Sequence, residues 1–101
     1  MTIPEKLRIL FKEYTVKRAD NMRNEKGNML YGEVDYVAQT ITLNSAASEE
    51  QSKSTVLHEV VHALDELYII GLKEKQVEKL GVALYMFIRD NPEMFREEVP
   101  G

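Results

Sequence analysis

The stretch that most constrains this 101-residue chain runs from Val56 to Asp65 and contains both of its histidines. His58 and His62 are four residues apart, and Glu59 follows the first of them. On a helix this spacing turns both imidazoles to one face, because four residues complete about one turn. Two neutral imidazoles on one face can bind Zn²⁺, and the adjacent glutamate can act on a water molecule at the ion. The stretch therefore predicts a helix that carries part of a zinc hydrolase site.

The alternative to a metal site is an amphipathic helix that happens to carry two polar residues. The residues around the histidines are mostly apolar and place them on or beside a buried face: Val56, Leu57, Val60, Val61, Leu64 and Leu67. An unpaired imidazole in such a position costs free energy, and binding a metal removes that cost. The apolar surroundings therefore favour the metal interpretation.

Length and composition predict one domain over residues 1–101, without a separate recognition module. The net charge is −4 and charges of both signs are interspersed, which does not favour binding to nucleic acid or to an anionic membrane. The chain has no cysteine, so disulfides and thiolate zinc sites are excluded. No apolar run resembles a signal peptide or a membrane span, and we expect a cytoplasmic protein.

Periodicity and turn residues predict an α+β fold with a small three-stranded sheet. The predicted elements are a helix over residues 4–13, a strand over 14–19, a loop over 20–28, strands over 30–37 and 40–43, and helices over 49–69 and 73–90. Ser48 is the expected N-cap of the histidine-bearing helix. Gly32 indicates a bulge or a close backbone approach in its strand, or else a plain strand weakened by the glycine.

A catalytic zinc ion usually has three protein ligands, so the two histidines leave one ligand to find. No further histidine or cysteine is present, and the third ligand must be a carboxylate. Because Gly71 turns the chain, the two long helices should form an antiparallel pair. In such a pair Glu78 lies level with the histidines, and Glu74 lies a turn closer to the connection. We therefore favour Glu78 over Glu74, although both could be solvated charges.

Two further residues lie near the predicted site. Asp65 shares the helix face of the histidines and could hold one of them in orientation by a hydrogen bond, or it could be an exposed carboxylate. Tyr85 lies two turns beyond Glu78 and could donate a hydrogen bond to a developing oxyanion, or it could be a core residue.

Several segments resemble small phage- and prophage-type metallopeptidases, namely the ImmA/IrrE-type group and the compact minigluzincins. The segments that carry the resemblance are His58–Asp65, Tyr31–Asp35, Ile41–Leu43, Glu78–Leu80 and Arg89–Pro92. The resemblance implies a small sheet over an active-site helix, followed by a helix that supplies a glutamate ligand, in agreement with Glu78. It also implies that the substrate binds as an extra strand on the sheet edge.

We therefore predict a zinc-dependent peptidase in which His58, His62 and Glu78 hold Zn²⁺ and Glu59 is the general base. Its partner would be a peptide or protein substrate, and a homodimer could provide specificity. The alternative is a catalytically silent, zinc-stabilised phage or prophage interaction protein. A latent enzyme, whose residues 94–101 cover the cleft, is a third interpretation.

Overall fold

A computed structural model describes residues 2–96. Its elements, in chain order, are β1 Lys6–Ile9, β2 Lys12–Ala19, β3 Gly32–Asp35, β4 Thr40–Asn44, α1 Glu49–Tyr68, α2 Glu74–Asp90 and a 3₁₀ turn Pro92–Phe95. A four-stranded sheet followed by two helices confirms the predicted α+β class. Of the C-terminal segment 94–101 that could cover the cleft, residues 97–101 lie outside the described part of the chain.

The sheet is mixed and has the strand order β1-β2-β4-β3. β1 is antiparallel to β2, β3 is antiparallel to β4, and the two hairpins join through the parallel pair of β2 and β4. The predicted hairpin of the last two strands is confirmed, with Val34 opposite Ile41. Asp35 Oδ1 closes its turn by accepting hydrogen bonds from the amides of Val37 and Ala38, at 3.0 and 2.9 Å. β3 is left as an edge strand.

The predicted N-terminal helix over residues 4–13 is wrong, because this segment forms β1 and the start of β2. The apolar residues that suggested a helical face are divided between two environments. Leu7 stands opposite Tyr14 in the hairpin, and Tyr14 is buried. Leu10 and Phe11 form the turn and are exposed, and Leu10 adopts a positive φ of 59°. The sheet therefore has four strands where three were predicted, because cross-strand packing outweighs a local periodicity.

The helix α1 begins as the sequence predicts and covers one face of the sheet. Ser48 Oγ accepts a hydrogen bond from the Gln51 amide at 3.1 Å, and Glu49 and Glu50 occupy the positive end of the helix dipole. The buried core combines residues from the sheet and from α1, among them Tyr14, Ile41, Leu43, Val56, Leu57 and Ala63. This packing fixes the rotation of α1, and with it the face that presents the histidines.

The helix α2 packs on the side of α1 that the sheet does not cover. Ile69 and Gly71, with φ of 54° and 85°, turn the chain between the two helices. The contacts then run in opposite directions along the helices: Glu74 with His62, Gly81 with His58, and Tyr85 with Glu50. The two helices are therefore antiparallel, as predicted. In the described part of the chain, neither of them has the length and apolar composition that crossing a bilayer requires.

Candidate metal centre

Three side chains from the two helices meet at one point. His58 Nε2 lies 3.2 Å from Glu74 Oε1, and His62 Nε2 lies 3.1 Å from Glu74 Oε2. The two imidazole rings are 4.9 Å apart and steeply inclined to each other. Within residues 2–96, these three residues are the group whose ligand atoms all lie within 4.8 Å of one another. The histidine side chains are 26% exposed and that of Glu74 is 59% exposed, so the point where they meet opens to solvent.

The geometry fits a divalent metal ion. Ligands at about 2.0–2.1 Å from a tetrahedral zinc ion stand roughly 3.3 Å from one another, close to both nitrogen–oxygen distances found here. Two imidazole nitrogens and one carboxylate are also the donor set of a zinc site that keeps one position open for water. The same distances suit hydrogen bonds between protonated imidazoles and a carboxylate. The donor set therefore allows a metal ion, without determining which one.

The third member of the cluster is Glu74, whereas Glu78, the residue favoured from the sequence, lies outside it. The level of a residue along the helix axis does not determine which way its side chain faces. Rotation about that axis decides the matter, because the buried residues of α2 are Val77, Gly81 and Tyr85. At 100° per residue, Glu74 lies about 20° from the centre of this buried stripe and Glu78 about 60° from it. The helical angle was available from the sequence and would have favoured Glu74.

The environment of Glu59 suits proton transfer. Its side chain is buried, with 6% of the residue exposed, although it neighbours His58 in the sequence. Burial, together with the smaller effects of the negative charges of Glu74 and Glu33, raises the pKa of Glu59 to about 7. A carboxyl group with a pKa near the working pH can both accept and donate a proton, as a general base and general acid must.

Two glycines allow α1 to be approached closely on both sides of the histidine region. A Cβ atom on Gly81 would lie 3.0 Å from His58 Cα, so α2 can touch α1 here only because position 81 has no side chain. A Cβ atom on Gly32 would lie 2.6 Å from Thr55 Cγ2, three residues before His58. Of the interpretations of Gly32, the close approach is the one that this distance supports. A glycine inside a helix costs stability, so its presence at position 81 is a sequence signal for a close contact.

The carboxylate of Asp65 is engaged with the connection between the helices. Its Oδ1 accepts hydrogen bonds from the amides of Gly71 and Leu72, at 2.8 and 3.0 Å. Its carbonyl oxygen accepts from the amides of Ile69 and Ile70. One residue thus holds the chain reversal that precedes Glu74. The structure thus places this carboxylate on the connection that precedes Glu74.

Tyr85 points toward the beginning of α1. Its hydroxyl donates to Glu50 Oε1 at 3.4 Å, and the Arg89 guanidinium lies 5.8 Å from the centre of its ring. Glu50 precedes His58 by eight residues, which is about 12 Å along a helix. In this arrangement the hydroxyl is directed away from the histidine–glutamate cluster.

A groove of about 360 Å³ lies beside His58. It is bounded by the segment entering β3, by the first half of α1 and by the face of α2 that carries Glu78 and Val82. Glu78 is therefore next to the cluster without belonging to it. The groove is continuous with His58, so a molecule bound in it would lie against the candidate metal centre.

Comparison of the chain with protein-family models, with curated proteins and with solved structures gave no match.

Proposed function

We propose that the chain is a zinc-dependent peptidase whose metal ligands are His58, His62 and Glu74. The main support is that the Glu74 carboxylate, on α2, lies within 3.2 Å of both imidazoles. The helix that carries these imidazoles, α1, also carries Glu59. A zinc ion at this position would supply acidification of a water molecule and polarisation of a peptide carbonyl. His58, His62 and Glu74 would hold the ion.

Glu59 is the general base in this proposal. It accepts a proton from the attacking water and delivers it to the amine that leaves, so that one proton is transferred in each turnover. A metal site without catalysis needs no carboxyl group at this position, whereas hydrolysis does. Its burial beside His58 also keeps bulk water away from the transferred proton.

The substrate in this proposal is an extended peptide that pairs with the edge strand β3. β3 pairs with β4 on one side only, and the groove beside His58 begins where the chain enters β3. Backbone hydrogen bonds along such an edge give affinity with little dependence on side chains.

The decisive test is Glu59→Gln, with Glu66→Gln as the matched control on the exposed face of the same helix. We expect Glu59→Gln to keep one zinc per chain and to lower peptide cleavage by a factor of about 10²–10⁴. Glu66→Gln should keep both properties. Cleavage that persists in Glu59→Gln, or a wild-type chain that takes up no zinc, would contradict the proposal.

A zinc-stabilised interaction protein is the second candidate function, and the outer face of α2 favours it. This face exposes a set of large apolar side chains: Leu80, Leu84, Met86 and Phe87. Apolar surface of this kind often marks a protein–protein contact, including a homodimer. If zinc binds but no peptide is cleaved, this function becomes the better account, and sedimentation of the zinc-loaded chain would then measure self-association.

A further inference from the structure

The groove beside His58 has one wall suited to an aliphatic chain. Met29, Leu30 and Tyr31 line it on the side of the sheet, and Val82 lines it on the side of α2. A straight run of methylene groups can lie against such a wall and leave a polar end free to reach beyond it. The shape therefore favours a long, unbranched side chain over a short or branched one.

One carboxylate lines the groove. Of the described residues that line it, Glu78 is the one with a formal charge once His58 is a neutral metal ligand. The remaining polar groups are uncharged, among them Ser54 and Thr55 on α1. A cation that enters the groove thus meets one carboxylate and no basic side chain in this lining.

We propose, on the basis of the peptidase function above, that this groove binds a lysine or arginine side chain of the substrate. The methylene groups lie along the apolar wall, and the ammonium or guanidinium group pairs with Glu78. Because the groove is continuous with His58, the residue recognised is one that directly flanks the cleaved bond. Glu78 is then the residue that determines specificity, one turn beyond the ligand Glu74 on the same helix.

The test uses the zinc-loaded full chain and a library of N-acetylated, C-amidated octapeptides with randomised positions. Blocked ends leave side chains as the only cations, so a free terminal amine cannot imitate the effect. Cleavage sites are read by mass spectrometry. We expect lysine and arginine to be enriched about two- to fivefold at one position next to the cleaved bond, the size of a solvent-accessible ion pair.

Substitutions at position 78 identify the group responsible. Glu78→Gln should bring the enrichment of basic residues close to one, and Glu78→Lys should replace it with an enrichment of aspartate and glutamate. Glu93→Gln, which removes an exposed carboxylate paired with Arg96, should leave the enrichment as it is. Zinc content is measured for each variant, so that loss of metal is not mistaken for loss of selection. An enrichment that is absent, or that survives Glu78→Gln, would overturn the assignment.

A binding measurement separates this inference from the proposed peptidase activity. Zinc-loaded Glu59→Gln is immobilised and the peptides that it retains are sequenced. We expect the retained peptides to be rich in lysine and arginine, and this selection to be lost in the Glu59→Gln, Glu78→Gln double variant. That result would support binding of a basic side chain in the groove even if the wild type cleaves nothing. Cleavage by the wild type without any basic preference overturns the groove and leaves the peptidase function standing.

Discussion

The two helices that form the candidate metal centre are held by very different amounts of burial. In α1 seven of 20 residues are buried, and the helix lies between the sheet and α2. In α2 only three of 17 residues are buried, and in the described part of the chain it contacts just α1 and the 3₁₀ turn. The more buried helix supplies His58 and His62, and the less buried one supplies Glu74. The centre thus has two prearranged ligands, and the third is supplied by an element that can move more easily.

The difference between the helices has a consequence for energetics. Elements with few buried contacts open at a lower free energy than core elements. A metal ion that binds only when α2 is packed on α1 stabilises that packed state, by about 2.7 kcal/mol at an ion concentration 100 times its Kd. Because α1 is already held by the sheet, we expect most of this stabilisation to act on α2 and on the connection before it.

The largest expected effect comes from removing a ligand. Substituting a residue that hydrogen-bonds to a metal ligand typically lowers metal affinity about 10- to 100-fold. His62→Ala and Glu74→Ala should each lower zinc affinity by more than this, as measured by competition with a chelating dye. Glu78→Ala should stay within about threefold of the wild type, since Glu78 lies outside the cluster. If Glu78→Ala matches Glu74→Ala, the third ligand is Glu78 and the arrangement described above is incorrect.

A change at the contact between the helices should have the next largest effect. Gly81→Ala places a methyl group 3.0 Å from His58 Cα, where the obstacle is backbone and cannot rotate away. The overpacking should lower the free energy of unfolding by about 1–3 kcal/mol. The better helix propensity of alanine offsets part of this loss. Zinc affinity should also fall, because α2 carries Glu74 away from the histidines.

The control for this change is Ala83→Gly, on the exposed face of α2. It should cost about 0.5–1 kcal/mol through helix propensity and leave zinc affinity unchanged. Urea denaturation of the chain without metal gives the first quantity, and zinc titration gives the second. Equal zinc affinity in Gly81→Ala and the wild type would show that α2 does not need this close contact.

The smallest expected effect is at the connection between the helices. Asp65→Ala removes the acceptor of the Gly71 and Leu72 amides, which should cost about 1 kcal/mol and lower zinc affinity about tenfold. Asp65→Asn keeps an oxygen acceptor and should lose less of both. If zinc affinity is unchanged in Asp65→Ala while stability falls, then the connection does not position Glu74.

Local signals in the sequence were sufficient to predict the histidine helix and the hairpin of β3 and β4. The Ser48 cap and the apolar spacing of α1 agree with its tertiary packing, so nothing opposes them. The N-terminal segment shows the opposite case. Leu7, Leu10, Phe11 and Tyr14 satisfy a helical spacing, but the pairing of β2 with β4, distant in sequence, draws this segment into the sheet.

The choice between the two glutamates shows a second limit of sequence reasoning. A reflection through the turn estimates how far along α2 a residue lies, but it says nothing of which way its side chain faces. Glu74 and Glu78 are one turn apart, and only the rotation set by Val77 and Gly81 against α1 separates them. The position of Gly81 on the inner face contained this information, because a glycine has no side chain to oppose close contact.

The three clustered side chains lie within the seventeen consecutive residues 58–74, whereas the two halves of the sheet join through β2 and β4, which a loop and β3 separate in the sequence. Contacts between residues close in sequence form faster than contacts between distant ones. The helical pair can therefore assemble, with its ligands, before the parallel pairing is complete. A metal ion that bound the paired helices at that stage would stabilise them before the sheet is complete.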